Sequence, residues 1–261
     1  MPLVRDRCIC LRRTEYSETS QILTLFSRAH GIVRAIAKGA HRRTKAGASK
    51  FDGGVDLLDT GDAVFTHDPG KDLATLTEWS LREGHLGLRT TLRGMYLGLY
   101  AAELVGRLVE EHDPHPELFD RLDATLGELA TPRAEEAFLA FELDLLRETG
   151  YLAELSACAS CGSAIADREQ TYFSPASGGV VCRNCEGATH DRIPFDARLL
   201  RLLQTILRLP RANGAARRLP QLTRHQTDPL NRLFADQIEH TLGRRLQLAP
   251  YVLARNGLAK S

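Results

Sequence analysis

The chain has 261 residues, 43% hydrophobic and 26% charged, with 34 Lys and Arg against 33 Asp and Glu. That is long enough for more than one folded core and ordinary for a globular protein. No run is apolar enough to span a membrane, and the charges in Arg5-Asp6-Arg7 argue against a secretory leader, so the cytoplasm is the expected location. The net charge of +1 hides an asymmetry. Residues 1–50 carry eleven Lys and Arg against three Asp and Glu, residues 91–155 five against fourteen, and residues 191–261 thirteen against five. Basic ends around an acidic middle suggest a polyanion partner for the ends.

Residues 1–82 read as a β domain. Leu3 to Leu11 alternates loosely, with Cys8 and Cys10 on one face; these are expected to be buried small apolar groups. Strands are expected at Gln21–Phe26 and, after the turn Arg28-Ala29-His30-Gly31, at Ile32–Ala37. Val55–Leu58 and Ala63–Phe65 are expected to flank a turn at Asp59-Thr60-Gly61-Asp62, and Leu73–Leu81, with Trp79, gives the last strand. Short strands without intervening helices suit a small closed barrel of the OB type. Between the third and fourth strands, Lys38, Arg42, Arg43, Lys45 and Lys50 form a cationic loop with no acidic residue and several small ones. Such a loop can clamp phosphates, and Arg12 and Arg34 join it as candidate DNA contacts, with Tyr16 or Phe26 as candidate stacking platforms.

Residues 83–155 turn helical. Leu92, Met95, Tyr96, Leu99, Ala102 and Val105 recur at helical spacing, and the Glu110–Pro116 segment breaks the pattern. Leu118, Leu122, Leu126 and Leu129 mark a second helix; Phe138, Phe141 and Leu145 mark a third, opened by Pro132 and ended by Gly150. His112 and His115 read as loop residues, since no third ligand is near.

Residues 156–191 carry the strongest chemical signal. Cys158-Ala-Ser-Cys161 and Cys182-Arg-Asn-Cys185 are two CxxC pairs separated by a hairpin, Tyr172-Phe173, a turn at Ser177-Gly178-Gly179, and Val180-Val181. Two such knuckles complete a four-cysteine shell for one structural zinc ion. The shell is closed, with no position for water or substrate, so the metal should hold structure. His190 reads as an ordinary loop histidine. Helices resume over residues 192–253, one capped by Asp196 and one expected to start at Asp228-Pro229. Arg211, Arg217, Arg218 and Arg224 form a candidate second basic patch. The expected fold is therefore α+β: an OB barrel, then a helical domain (83–155 and 192–253) carrying the zinc-finger insertion. The sequence lacks G-x-S-x-G, H-E-x-x-H, G-x-G-x-x-G and Walker A patterns, so no enzyme is expected. The alternatives are a zinc-ribbon interaction hub that touches DNA incidentally and a zinc nuclease.

The chain resembles the RecO family of bacterial recombination mediators. The resemblance is carried by Arg12 through Phe26, Gly31 and Ala37-Lys38-Gly39-Ala40-His41-Arg42-Arg43. It continues through Glu142-Leu143, Leu145-Leu146, Gly150-Tyr151, Cys158-x-x-Cys161-Gly162, Phe173-Ser174, Gly178-Gly179 and Cys182-x-x-Cys185. It implies an OB-fold, a helical domain and a zinc finger. It also implies binding of single- and double-stranded DNA, annealing of complementary strands, and work with RecR to load RecA on strands coated by single-stranded DNA-binding protein. It implies a bacterial cytoplasmic setting at the nucleoid and no membrane partner. The acidic tail of the coating protein is expected to dock on the basic C-terminal helices.

Overall fold

The computed structural model describes residues 2–40, 50–51, 54–66, 70–165, 170–209 and 217–253. It divides into two compact units, residues 1–134 and 135–261.

The first unit is a closed five-stranded barrel of the OB type with two helices. Strands β1 (Leu3–Ser17), β2 (Ser20–Ser27), β3 (Gly31–Ala37), β4 (Thr60–Thr66) and β5 (Ala74–Glu83) close in the order β1-β2-β3-β5-β4. An odd-membered ring cannot alternate direction all the way round, and the one parallel pair is β3 with β5. The strands turn one face inward, as their period of two demands, and Cys10, Leu25, Val33, Phe65 and Trp79 are among the residues that fill the interior. Burial raises the thiols of Cys8 and Cys10 well above the ordinary cysteine range, so both act as small apolar groups, as expected.

Ile9, Phe26 and Ile32 are also buried, and they lie outside the cluster that fills the barrel interior. After a 3-10 turn (Leu86–Thr90), helix α1 (Leu92–Leu108) packs on β1 and β2. Thr91 caps it, accepting a hydrogen bond from the Gly94 N–H. Helix α2 (Pro116–Glu128) sets Phe119 against Phe26, ring centroids 5.7 Å apart. Gly31, at φ +67°, lies so close to the Asp113 backbone that any Cβ would collide with it, so only glycine fits this turn.

One expectation changes in this unit. Val55–Leu58 is not a strand: Leu58 turns through φ +66°, its N–H bonds to the Cys10 carbonyl at 2.8 Å, and β4 has already begun at Thr60. Helices α1 and α2 group with the barrel in the compact unit of residues 1–134. They cover the second apolar surface of β1–β3, which a lone barrel would leave exposed.

The second unit opens with α3 (Ala134–Glu148), buried from Glu136 to Leu146. A sheet of order β7-β6-β8 follows, from β6 (Gln170–Ser174), β7 (Gly179–Val181) and β8 (Ile193–Asp196), with the short helix α4 (Arg183–Glu186) between β7 and β8. The expected hairpin thus gains a third strand. Helices α5 (Ala197–Arg208), α6 (Arg224–Leu242) and α7 (Ala249–Val252) complete the unit. Asp196 caps α5 by accepting from the Arg198 N–H at 2.7 Å. Helix α6 starts more than a turn before Asp228-Pro229: Thr223 and Gln226 form a capping box, and Pro229 lies inside the helix. Two reciprocal cap bonds outweigh the bond that a proline near the first turns fails to make. Glu142 is fully buried, neither of its oxygens has a hydrogen-bond partner among the described residues, and burial pushes its carboxyl well above the carboxylate range.

Candidate metal centre and nucleic-acid interface

In the second unit the two CxxC pairs converge. The first knuckle is a turn in which the Gly162 N–H bonds to the Cys158 carbonyl at 2.8 Å, with Gly162 at φ +72°. The second opens α4, where the Cys185 and Glu186 N–H groups both bond to the Cys182 carbonyl at 3.0 Å. The β6–β7 hairpin brings them together: the Ala159 N–H bonds to the Val180 carbonyl, and the Cys182 N–H points at the Cys158 sulfur, 3.3 Å away. All four sulfurs lie within 4.8 Å of one another, and Cys161 Sγ is 3.7 Å from Cys182 Sγ. A tetrahedron with metal–sulfur bonds of about 2.3 Å has edges of about 3.8 Å, so the cluster fits a single tetrahedral ion.

The thiol electrostatics suit the same occupant. Burial raises the Cys158 thiol, but N–H groups of Cys182, Cys161 and Ser160 outweigh it and bring the group down to about 6. The Ser163 hydroxyl and N–H lower Cys161. The neighbouring sulfurs of Cys161 and Cys182 drive Cys185 up to about 12, because thiolates this close repel. A divalent cation among them supplies the compensating charge and lets all four ionise. His190 is exposed and does not belong to the cluster.

In the first unit the candidate DNA contacts are arranged by strand register. A bulge between Cys10 and Arg12 shifts β1 by one residue against β2. Cys10 therefore pairs with Leu25, which pairs in turn with Val33, all facing inward, while Arg12 pairs with Thr24, which pairs with Arg34. Arg12, Thr24 and Arg34 thus form one row across three strands, and both arginines are exposed. The next row is Thr14, Ile22 and Ile36. Beyond it lies a cleft of about 480 Å³ lined by Tyr16, Thr19, Ser20, Ile36, Lys38, Gly39, Lys50 and Phe51. Tyr16 is 66% exposed, and Lys50 is anchored to β5 where its carbonyl accepts the Trp79 N–H at 2.8 Å. Arg42, Arg43 and Lys45 lie outside the described residues. Ile36 and Phe51 carry no signal in the sequence that would assign them to this cleft; strand pairing with Ile22 places Ile36, and Phe51 follows Lys50, which is bonded to β5.

Two sequence assignments are corrected. Phe26 is fully buried against Phe119 and presents no stacking face. Arg217 is no part of a surface patch: it is 3% exposed, its Nη1 donates to the Ile206 carbonyl at 2.8 Å, and its Nη2 lies 3.7 Å from the buried Asp144 carboxylate. A buried acid on α3 demands a buried counter-charge. Arg224 is held by Asp228 and Glu135, Arg218 is exposed, and Arg211 lies outside the described residues.

Two groupings of hydroxyl, imidazole and carboxylate occur in the first unit. The Ser27 hydroxyl and the Ala29 N–H donate to Asp6, with His30 Nδ1 3.3 Å from the same oxygen. The Thr60 hydroxyl donates to Asp123 at 2.6 Å, with His85 Nε2 3.2 Å from the hydroxyl. In both, the hydroxyl proton points at a carboxylate, so the imidazole does not activate it as a nucleophile.

An OB barrel with an exposed basic row, in one chain with helices and a four-cysteine module, defines the class by fold: an OB-fold protein with a cysteine-rich module. The family models "Recombination protein O N terminal" and "Recombination protein O C terminal" match residues 1–85 and 89–247. The chain is 34% identical over 240 residues to a DNA repair protein RecO of Anaeromyxobacter sp. (strain Fw109-5), covering 91% of each chain. It is 30% identical over 258 residues to that of Myxococcus xanthus, covering 97% of this chain and 98% of the relative. It is 38% identical over 179 residues to that of Rhodopirellula baltica, covering 68% and 65%. The chain belongs to the recombination protein O family, and its role lies in DNA repair.

Proposed function

We propose that the protein is a non-enzymatic recombination mediator that binds single- and double-stranded DNA on the barrel and anneals complementary strands. With RecR it would promote RecA loading on strands coated by single-stranded DNA-binding protein, in the cytoplasm at the nucleoid. The observation that carries this reading is the register-aligned row of Arg12 and Arg34 leading into the cleft of Tyr16, Lys38 and Lys50. Cations along one face track phosphates and release counterions, and Arg42, Arg43 and Lys45 add positive charge in the adjoining sequence. Tyr16 offers its ring to bases of any sequence, and phosphate contacts carry no base information, so binding is sequence-independent. Neutralising two strands together lowers their mutual repulsion and lets bases find their complements.

In this reading residues 1–82 hold DNA, residues 156–191 are an insertion held by one zinc ion on Cys158, Cys161, Cys182 and Cys185, and the helices at 83–155 and 192–253 serve partner proteins. The zinc supplies folding free energy to its own module and takes no part in chemistry.

The test is the annealing rate of complementary oligonucleotides precoated with single-stranded DNA-binding protein. The protein is expected to accelerate it without any nucleotide cofactor, and Arg42→Glu with Arg43→Glu is expected to slow it and flatten its salt dependence. DNA binding without acceleration would replace this reading by an interaction hub.

A further inference from the structure

A second cleft, of about 500 Å³, opens in the first unit between the 3-10 turn and α2, and shares no residue with the basic cleft. The buried side chains of Leu88 and Leu126 line it, with the exposed Ala124 and Gly127 of α2 beside them. A Cβ built on Gly127 would meet no atom within 4 Å, so the space above it is open. Leu86 stands at the edge, 68% exposed.

The polar rim is held in place. Glu83 Oε1 accepts the His85 N–H at 2.9 Å, and Asp123 Oδ1 accepts the Thr60 hydroxyl at 2.6 Å. His85 Nε2 lies 3.5 Å from Asp123 Oδ1 and holds that carboxyl below the usual carboxylate range, so it is ionised. Residues 110–128, which include α2, carry seven Asp and Glu and one arginine, the buried Arg121. Such a surface repels a polyanion. Among the described residues, no His, Asp and Glu groups here cluster closely enough to hold a metal ion. What complements the cleft is a cation next to an aliphatic group.

We propose that this cleft is a protein-docking site for a basic, aliphatic segment of a partner, one that lays a leucine-like side chain over Gly127 and a Lys or Arg between Glu83 and Asp123. The site stands apart from the DNA-binding face and does not depend on it.

The test uses the full chain and fluorescence anisotropy with three labelled probes: a hexapeptide of alternating Lys and Leu, its Glu and Leu counterpart, and an oligothymidylate. Gly127→Leu fills the open space on an exposed helical position where leucine is the better helix former. It is expected to weaken the Lys–Leu peptide about tenfold, the worth of one buried aliphatic group. Ala124→Arg, which adds bulk and charge on the same exposed face, should do the same, and Glu83→Gln should lower the salt dependence of the peptide. Oligothymidylate binding should be unchanged in all three. The proposal is overturned if the wild type fails to bind the basic peptide or binds the acidic one as well, or if neither Gly127→Leu nor Ala124→Arg weakens the basic peptide.

Discussion

The metal centre and the basic face of the barrel are assembled in opposite ways. The first draws four ligands from one stretch, residues 158–185, through two local turns and a hairpin between them. The second draws Arg12 and Arg34 from strands whose mutual alignment depends on one bulge, with Lys38 in the turn just past β3. Four thiolates around one ion would form a closed shell in which every member is needed at once. The basic row is a set of separate, solvent-exposed charges whose effects sum. Cysteine itself makes the same point within one chain: Cys8 and Cys10 are raised by burial in the barrel, while hydrogen-bond donors bring Cys158 down to about 6.

The contrast predicts all-or-none loss on one side and graded loss on the other. The largest effect belongs to Cys182→Ser. It removes a sulfur that lies against two others and should abolish stoichiometric zinc by elemental analysis, since such sites carry about 10–16 kcal/mol of apparent binding free energy in small fingers. Residues 156–190 should become protease-sensitive while the barrel does not. Retained zinc in that variant would break the closed-shell half of the comparison.

Next is Arg12→Glu with Arg34→Glu. Each lost phosphate contact should lower the slope of log affinity against log salt by about 0.7 for single strands, so the pair lowers it by about 1.4 and single variants by half as much. A single substitution that abolished binding would show that the face is not additive.

The smallest effect sharpens the thiol contrast. In native protein stripped of metal by a chelator, iodoacetamide at pH 7 should label Cys161 first, because its thiol is exposed and lowered, and leave Cys8 and Cys10 unlabelled until denaturant is added. Mass spectrometry of the tryptic peptides reads this directly; labelled Cys10 in native protein would show that the barrel opens on that timescale.

Much of this architecture is legible in the chain. The CxxC pairs, the hairpin between them and the Asp196 cap are short-range features, and short-range geometry follows from residue type. The strands of the barrel declare themselves by alternation, and α1 to α3 by their apolar period. What escapes reading needs information from a distant segment. Leu58 turns the chain where apolar content suggested a strand. The Thr223–Gln226 box overrides the more conspicuous Asp228-Pro229. Phe26 looks like any strand aromatic until Phe119 covers it, and Arg217 looks like a surface cation until Asp144 claims it from α3.

The sequence by itself determined the ligand set, the barrel's strand content and the basic character of the N-terminal stretch, because each rests on residues a few positions apart. Only the tertiary structure decided which arginines share a face, which helices cover the barrel and which charge is buried. Those outcomes depend on register and on partners far along the chain, where a shift of one residue turns a side chain from the core to solvent.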